Sequence, residues 1–194
     1  MSPVTRPRPG GRSARIRQAV HSSTVKLLTE RDRGDITVPM IAAAAGVTSS
    51  TIYRRWGDIG QVFADVALER LRPEASPRET GSVRGDLIAW AQEYLEEMST
   101  PVGRAALRDI VTGDGLAGPD DDTNQSKYAR FCRIAIETII ERDTQHLFAA
   151  DAGEQVIDYV VAPIVYRILF DLERPDPACV VALVDRTLEA SRLR

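Results

Sequence analysis

The sequence predicts an all-α protein, and three observations carry that expectation. No stretch alternates apolar and polar residues with the period of two that a half-buried strand requires. Proline and glycine cut the chain into pieces of helical length. Within those pieces, apolar residues recur at helical spacing, as Ile16, Ala19, Val20, Ser23 and Leu27 do on one face of the first. At 194 residues, the chain is one large domain or a small domain joined to a larger one. With 43% hydrophobic and 27% charged residues it can bury a core, which excludes a disordered or fibrous chain.

The elements follow in order. Residues 1–11 are an arm rich in Pro, Arg and Gly, and a first helix runs from about Arg12 to Glu30, where "RDRGD" breaks it. Thr37 is placed to cap a second helix, with Pro39 in the first turn where no N–H is needed, and that helix ends at Gly46. A third spans Thr48 to Trp56, and a fourth, "IGQVFADVALERL", ends before Pro73. After the loop "RPEASPRETG", Ser82 opens a long helix with Leu87, Trp90, Ala91, Tyr94, Leu95 and Met98 on its inward face. Thr100-Pro101 restarts the chain as a helix through Val111, and "TGDGLAGPDDDTN" reads as the most flexible segment. Helices follow in "QSKYARFCRIAIETIIERD", in "GEQVIDYVVAPIVYRILFDL" and, behind an Asp176 cap and Pro177, in "ACVVALVDRTLEASRL". The penultimate helix is apolar around most of its circumference, from Val156 to Phe170, so both of its faces need cover. One face is expected to pack on its own core and the other on a second copy, and Pro163 is expected to kink the rod.

Several classes of function are set aside. No apolar run approaches the roughly 18 residues of a membrane span. The basic N-terminus lacks an apolar signal core, so a cytoplasmic location is expected. Cys132 and Cys179 form no metal-binding spacing, His21 and His146 read as solvated or capping imidazoles, and Asp120–Asp122 read as a solvated loop. No cofactor or metal is expected, and no catalytic constellation argues for an all-α enzyme. Charge is unevenly spread. Residues 1–60 hold ten Lys/Arg against four Asp/Glu, whereas the rest hold fifteen against twenty-four, as a nucleic-acid-facing head on an acidic body would.

The stretch "AAAAGVTSSTIYRRW", residues 42–56, is the focus of that head. Gly46 can adopt positive φ without steric cost, Ala42 is small where two helices would touch, and Ile52, with Ile41 and Val47, can lock the second against the first. The stretch therefore reads as a helix-turn-helix. Its second helix opens with Thr48, Ser49, Ser50 and Thr51, where free N–H groups favour an anion such as DNA phosphate, and continues into Tyr53, Arg54 and Arg55. Thr48 has a second reading as an N-cap, Ser50 and Thr51 as solvent-facing residues, and Tyr53 as core. Ile52 and Trp56 form the inward pair. Arg6, Arg8 and Arg12 read either as a solvated tail or as an arm for the minor groove.

These residues resemble the TetR (tetracycline-repressor-like) family of transcriptional regulators. "TVPMIAAAAGV" followed by Thr48 and then "TIYRRW" carry the resemblance, which is densest over residues 12–72. It implies an all-α fold in which residues 12–58 form the DNA-binding head, residues 59–72 a connecting helix, and residues 59–194 a bundle for effector binding and dimerisation. It further implies a homodimer through the last two helices, a double-stranded DNA operator as partner and an unknown small-molecule effector. Arg12, Thr37, Thr48, Ser49, Ser50, Thr51, Tyr53, Arg54 and Arg55 are the expected DNA-facing residues. Two departures stand out. Ile59 occupies a position where the family often has a phosphate-binding lysine, and Ser50 one where it often has glycine. The expected effector-site residues are Trp90, Tyr94, Met98, Tyr128, Phe131, Cys132, Tyr159 and Tyr166, with Glu97 at the edge as a carboxylate for a cationic ligand. An architectural DNA-binding protein without effector is the remaining alternative, and it predicts no cavity.

Overall fold

The computed structural model describes residues 10–113, 123–145, 148–149, 151–170, 172 and 176–191; Arg6, Arg8, Asp120–Asp122 and His146 lie outside the described residues. The described chain folds into helices α1 (Gly10–Glu30), α2 (Val38–Ala45), α3 (Ser49–Trp56), α4 (Ile59–Arg70), α5 (Val83–Ser99), α6 (Pro101–Gly113), α7 (Asn124–Ile140), α8 (Ala152–Val156), α9 (Ala162–Leu169) and α10 (Pro177–Ala190). A 3-10 turn at Arg33–Asp35 occupies the expected break after α1. The all-α expectation holds.

Helix ends follow local chemistry. Thr48, Asp58, Ser82, Thr123 and Asp176 each accept a backbone N–H of the turn that follows, from Thr51, Gln61, Gly85, Ser126 and Cys179 respectively. Thr100 serves both neighbours, donating to the Glu97 carbonyl at 2.8 Å and accepting from Gly103 N–H at 2.9 Å. Thr37 corrects the expectation made for it. It holds the N-cap position of α2 in extended geometry, but its side chain makes no capping bond and is exposed. Helix α1 also begins at Gly10, so the arm's last two residues are helical.

Two cores result. In the head, Val20, Leu27, Ile36, Ile41, Ile52, Val62 and Phe63 pack together, with Ile16, Val47, Trp56 and Ile59 against them. In the body, Leu87, Leu95, Ile136, Ile139, Val160, Ile164 and Val184 share a core with the predicted stripe of α5. Helix α4 belongs to both. Its N-terminal half supplies Val62 and Phe63 to the head, Ala67 joins Ala106 and Ile110 of α6, and Leu71 just beyond it packs on the body.

The apolar rod around Pro163 carries a π-helical turn just before the proline. Residues Ile157–Val161 form a π-helical turn in which Ala162 N–H reaches back five residues to the Ile157 carbonyl. Widening the turn just before a residue with no N–H reassigns the backbone bonds that a regular α-helix would lose. Val156, Val160, Val161, Ile164 and Ile168 then face the core. Tyr159, Tyr166 and Phe170 face outward, 58%, 57% and 64% exposed. Both faces are apolar, but within one chain only one is covered.

Candidate functional site

The head is built as the sequence implies. Gly46 sits at φ 66° and ψ 32°, and its N–H and that of Val47 close α2 on the carbonyls of Ala42 and Ala43. Ile41, Ala42 and Ile52 are buried at this corner, fixing α3 against α2. The Thr48 hydroxyl lies 2.9 Å from those of both Ser50 and Thr51 and 3.3 Å from Thr51 N, so the cap and the first turn of α3 form one hydroxyl cluster. Ser50, Tyr53 and Arg54 are exposed, Tyr53 by 51%, whereas Ser49 and Thr51 are half-buried. Arg55 turns toward α1: it donates to Ser13 Oγ and its guanidinium lies 5.5 Å over the Trp56 ring. That contact brings the first turn of α1, with exposed Arg12, beside the end of α3. Thr37, exposed and without a capping bond, keeps its hydroxyl available at the N-terminus of α2.

Behind α3 lies a cluster the sequence reading missed. Asp65 of α4 accepts hydrogen bonds from Arg17 Nε (3.1 Å) and Nη2 (2.7 Å) and from Trp56 Nε1 (2.8 Å), and pairs with His21 Nε2 at 2.8 Å. Burial alone would disfavour its charge. The bonds from His21, Trp56 and Arg17 outweigh that cost and hold the carboxyl well below its ordinary value of 3.8. His21 is 8% exposed and hydrogen-bonded to Asp65, which corrects the expectation of a solvated imidazole. The signal was present in "VFADVAL", where one carboxylate interrupts an apolar run and so needs partners. Ile59, at the first position of α4, packs half-buried on the head core, which explains an apolar residue there.

In the body, α5, α7 and the loop between α4 and α5 enclose a cavity of about 750 Å³. Trp90, Tyr94, Met98, Tyr128, Phe131 and Cys132 line it, as expected, and exposed Glu97 stands at its edge. Trp90 and Tyr94 stack on each other, centroids 5.4 Å apart, so each ring covers a face of the other and they are not two sides of a cage. Arg142, just beyond α7, fastens the loop that closes the cavity. It donates to the carbonyls of Pro77 (2.8 Å) and Arg78 (3.0 Å) and to Asp86 Oδ2 (2.5 Å), while Asp86 also accepts from Thr80 N and Oγ1. Tyr159 and Tyr166 do not line this cavity, a correction that follows from helix phase. On a rod apolar all round, the inward positions go to aliphatic residues, and the phenols keep their hydroxyls in water. Tyr166 stacks instead on Phe170 at 4.7 Å.

Head and body meet along α4 and α6. Gly113 lies so close to α4 that a β-carbon there would stand 2.4 Å from Ala64 Cβ. Gln61 donates to the Gly113 carbonyl, and Arg33, stacked 4.5 Å over Phe63, pairs with Asp109 of α6.

A helix-turn-helix whose second helix offers hydroxyls, a tyrosine and an arginine, carried on a helical body with its own cavity, defines a class of DNA-binding regulator. Residues 22–66 match the family profile for bacterial regulatory proteins of the tetR family, and residues 77–187 the profile for the tetracyclin repressor-like C-terminal domain. The chain belongs to the TetR family of transcriptional regulators, whose members are non-enzymatic DNA-binding proteins. It is 33% identical over 132 residues to the HTH-type transcriptional regulator AqdR of Rhodococcus erythropolis, covering 68% of this chain and 62% of that protein's length. It is 25% identical over 175 residues to an HTH-type regulator of Mycobacterium bovis, covering 88% and 85%. Among solved structures, it resembles the TetR family repressor AlkX of Dietzia (TM-score 0.62, 19% identity, 90% and 94% covered). It also resembles a TetR regulator of Agrobacterium tumefaciens (TM-score 0.58, 19% identity, 92% and 95% covered). Among the described residues, no helix is long and apolar enough to cross a membrane.

Proposed function

We propose that this regulator is a cytoplasmic repressor that binds a palindromic operator as a homodimer and leaves it when a small molecule fills the body cavity. The observation that carries the proposal is the exposed face of α3, where Ser50, Tyr53 and Arg54 stand beside the Thr48 cap on a helix pinned from behind by Ile52 and Trp56. Residues 12–58 act as the head, residues 59–194 as the effector-binding and dimerisation body, and residues 1–11 as the basic arm. Arg12, Thr37, Thr48, Ser49, Thr51 and Arg55 complete the DNA-facing set. Within it, Arg55 acts chiefly by fastening α1 to α3, given its contacts with Ser13 and Trp56. Two heads would read half-sites roughly 34 Å apart on one face of the duplex.

Enrichment of random DNA by the full chain tests this reading. A palindrome is expected, and recovery of no symmetric sequence would sink it. Affinity for that palindrome should fall steeply with salt, because phosphate contacts supply most of it. Tyr53→Phe and Arg54→Ala should weaken operator and random DNA alike. Ser50→Ala, if its hydroxyl reads a base, should instead cost about 1 to 3 kcal/mol on the operator and little on random DNA. Equal losses on both would remove Ser50 from base reading.

The dimer surface is the outer face of α9, continuing onto α10. Tyr166 and Phe170 form an exposed aromatic pair there, and Tyr159 lines a hollow with Leu183, Arg186 and Thr187 of α10. Phe170→Arg places a charge on a side chain that contributes little to the folded monomer. It should halve the mass seen by sedimentation and abolish operator binding, while the melting profile keeps a folded monomer. An unchanged mass would place the dimer contact elsewhere.

A further inference from the structure

The cavity's deep wall has a chemistry of its own. Tyr94, Met98 and Cys132 are at most 8% exposed, and Tyr128 reaches them from α7. Charged groups of α5 stay at the rim, where Glu93 pairs with Arg78 at 2.8 Å and Glu97 is exposed. An ionised group carried to the deep wall would lose its water and meet no opposite charge, so the buried part of a ligand has to be neutral.

The hydroxyl protons settle the polarity of the contact. Tyr94 and Tyr128 hydroxyls are 2.6 Å apart, and the Tyr128 hydroxyl lies 3.7 Å from the Met98 thioether. Only one of the two protons can lie between the oxygens, whichever ring donates it, so the other phenol proton is left without an oxygen acceptor in the pair. Beside the pair stands the Met98 thioether, a weak acceptor. Burial raises the pKa of both phenols, so both keep their protons. The deep wall therefore offers a donor in search of a better acceptor and, apart from the phenol oxygens, only sulfur acceptors for a ligand N–H. A carbonyl oxygen satisfies the first condition; an ammonium, which has only N–H donors and a charge to desolvate, satisfies neither. Shape adds a further condition. Trp90 and Tyr94 stack at an interplanar angle of 24°, and Met98 and Cys132 share the lining with polarisable sulfur, surroundings in which a further conjugated ring packs better than an aliphatic chain.

We infer that the body cavity takes a planar, neutral, conjugated carbonyl compound, whose oxygen accepts the spare proton of the Tyr94–Tyr128 pair and whose rings lie beside the Trp90–Tyr94 stack. The inference rests on the reading of this cavity as the effector site.

Calorimetric titration of the full chain with four probes of similar outline tests it: fluorenone, fluorene, proflavine as a flat cation and fluorenone-carboxylic acid as a flat anion. Fluorenone should bind about tenfold tighter than fluorene, the worth of one well-made hydrogen bond. That advantage should vanish when both phenols are removed, in Tyr94→Phe combined with Tyr128→Phe, whose fold is checked by circular dichroism, and the two charged probes should bind more weakly than fluorenone. Ile134→Trp, on an exposed side chain at the mouth, locates the binding. If fluorene matches fluorenone, a charged probe binds tightest, or the double variant keeps the preference, while Ile134→Trp still blocks binding, the ligand class is wrong and the cavity reading survives. If no probe binds, or Ile134→Trp has no effect, the cavity reading itself fails and takes the inference with it.

Discussion

Asp65→Ala should destabilise the protein by about 3 kcal/mol, because it strips the shared acceptor from three donors at once. Trp56 Nε1 and His21 Nε2 are held in the head's interior by the Asp65 carboxylate. Arg17 is 45% exposed and can turn to water, which keeps the loss below the upper range for a fully buried pair. Asp65→Asn should cost somewhat less, since the amide oxygen can still accept from the indole, the imidazole and Arg17 Nε at the Oδ2 position while its NH₂ opposes only Arg17 Nη2. Urea unfolding of the full chain measures both, and a loss under 1 kcal/mol for Asp65→Ala would show that the cluster contributes little to stability.

The same carboxylate sets a pH dependence of definite sign. Its folded pKa lies below its ordinary value of 3.8, so the unfolded chain binds the proton first. The stabilisation is fully present above that ordinary value and is lost as pH falls toward the folded one. Asp86, held low by Thr80 and Arg142 against the opposing effect of burial, acts in the same direction. Stability should therefore decline with acidification below about pH 4, and Asp65→Asn should flatten part of that decline.

The head was legible because its rules are local. Gly46 had to be the left-handed residue, Thr48 the cap and Ile52 the inward wedge, whatever the rest of the chain did. The stripe on α5 was legible for the same reason, since helical spacing alone puts Trp90, Tyr94 and Met98 on one face. What escaped were contacts between residues far apart in sequence. His21 and Asp65 are 44 positions apart and belong to different helices, so neither residue's neighbours announce the pair. Tyr159 and Tyr166 were misplaced because a rod apolar on every side carries no signal of phase, and the π-helical turn shifts that phase again. The exposed hydroxyl of Thr37 shows the converse limit: a residue can hold a capping position and leave its side chain for another partner.

Gly113→Ala should be the other large perturbation, and it bears on how the two halves of the chain act on each other. Helix α4 reaches from the head core to the body core, and Leu71 and Arg72 at its end line the effector cavity. Movement at the cavity can thus reach the head through α4, provided α4 and α6 keep their close approach. A methyl group at Gly113 would stand 2.4 Å from Ala64 Cβ and 3.1 Å from the Gly60 carbonyl oxygen, so the helices must separate or tilt. Overpacking of this kind costs about 2 kcal/mol. Separation would also strain the Gln61 bond to the Gly113 carbonyl and the pairing of Arg33 with Asp109. The steric cause can be isolated with a double-mutant cycle. In an Ala64→Gly background the shortest contact is gone, and the cost of Gly113→Ala should fall to about half. If the two changes are additive in unfolding experiments, the α4–α6 approach is not what limits residue 113. If the cycle shows coupling, the operator affinity of Gly113→Ala becomes the informative measurement. A head displaced with α4 should lose affinity for the palindrome far more than for random DNA, because misplaced half-sites disturb register before they disturb charge.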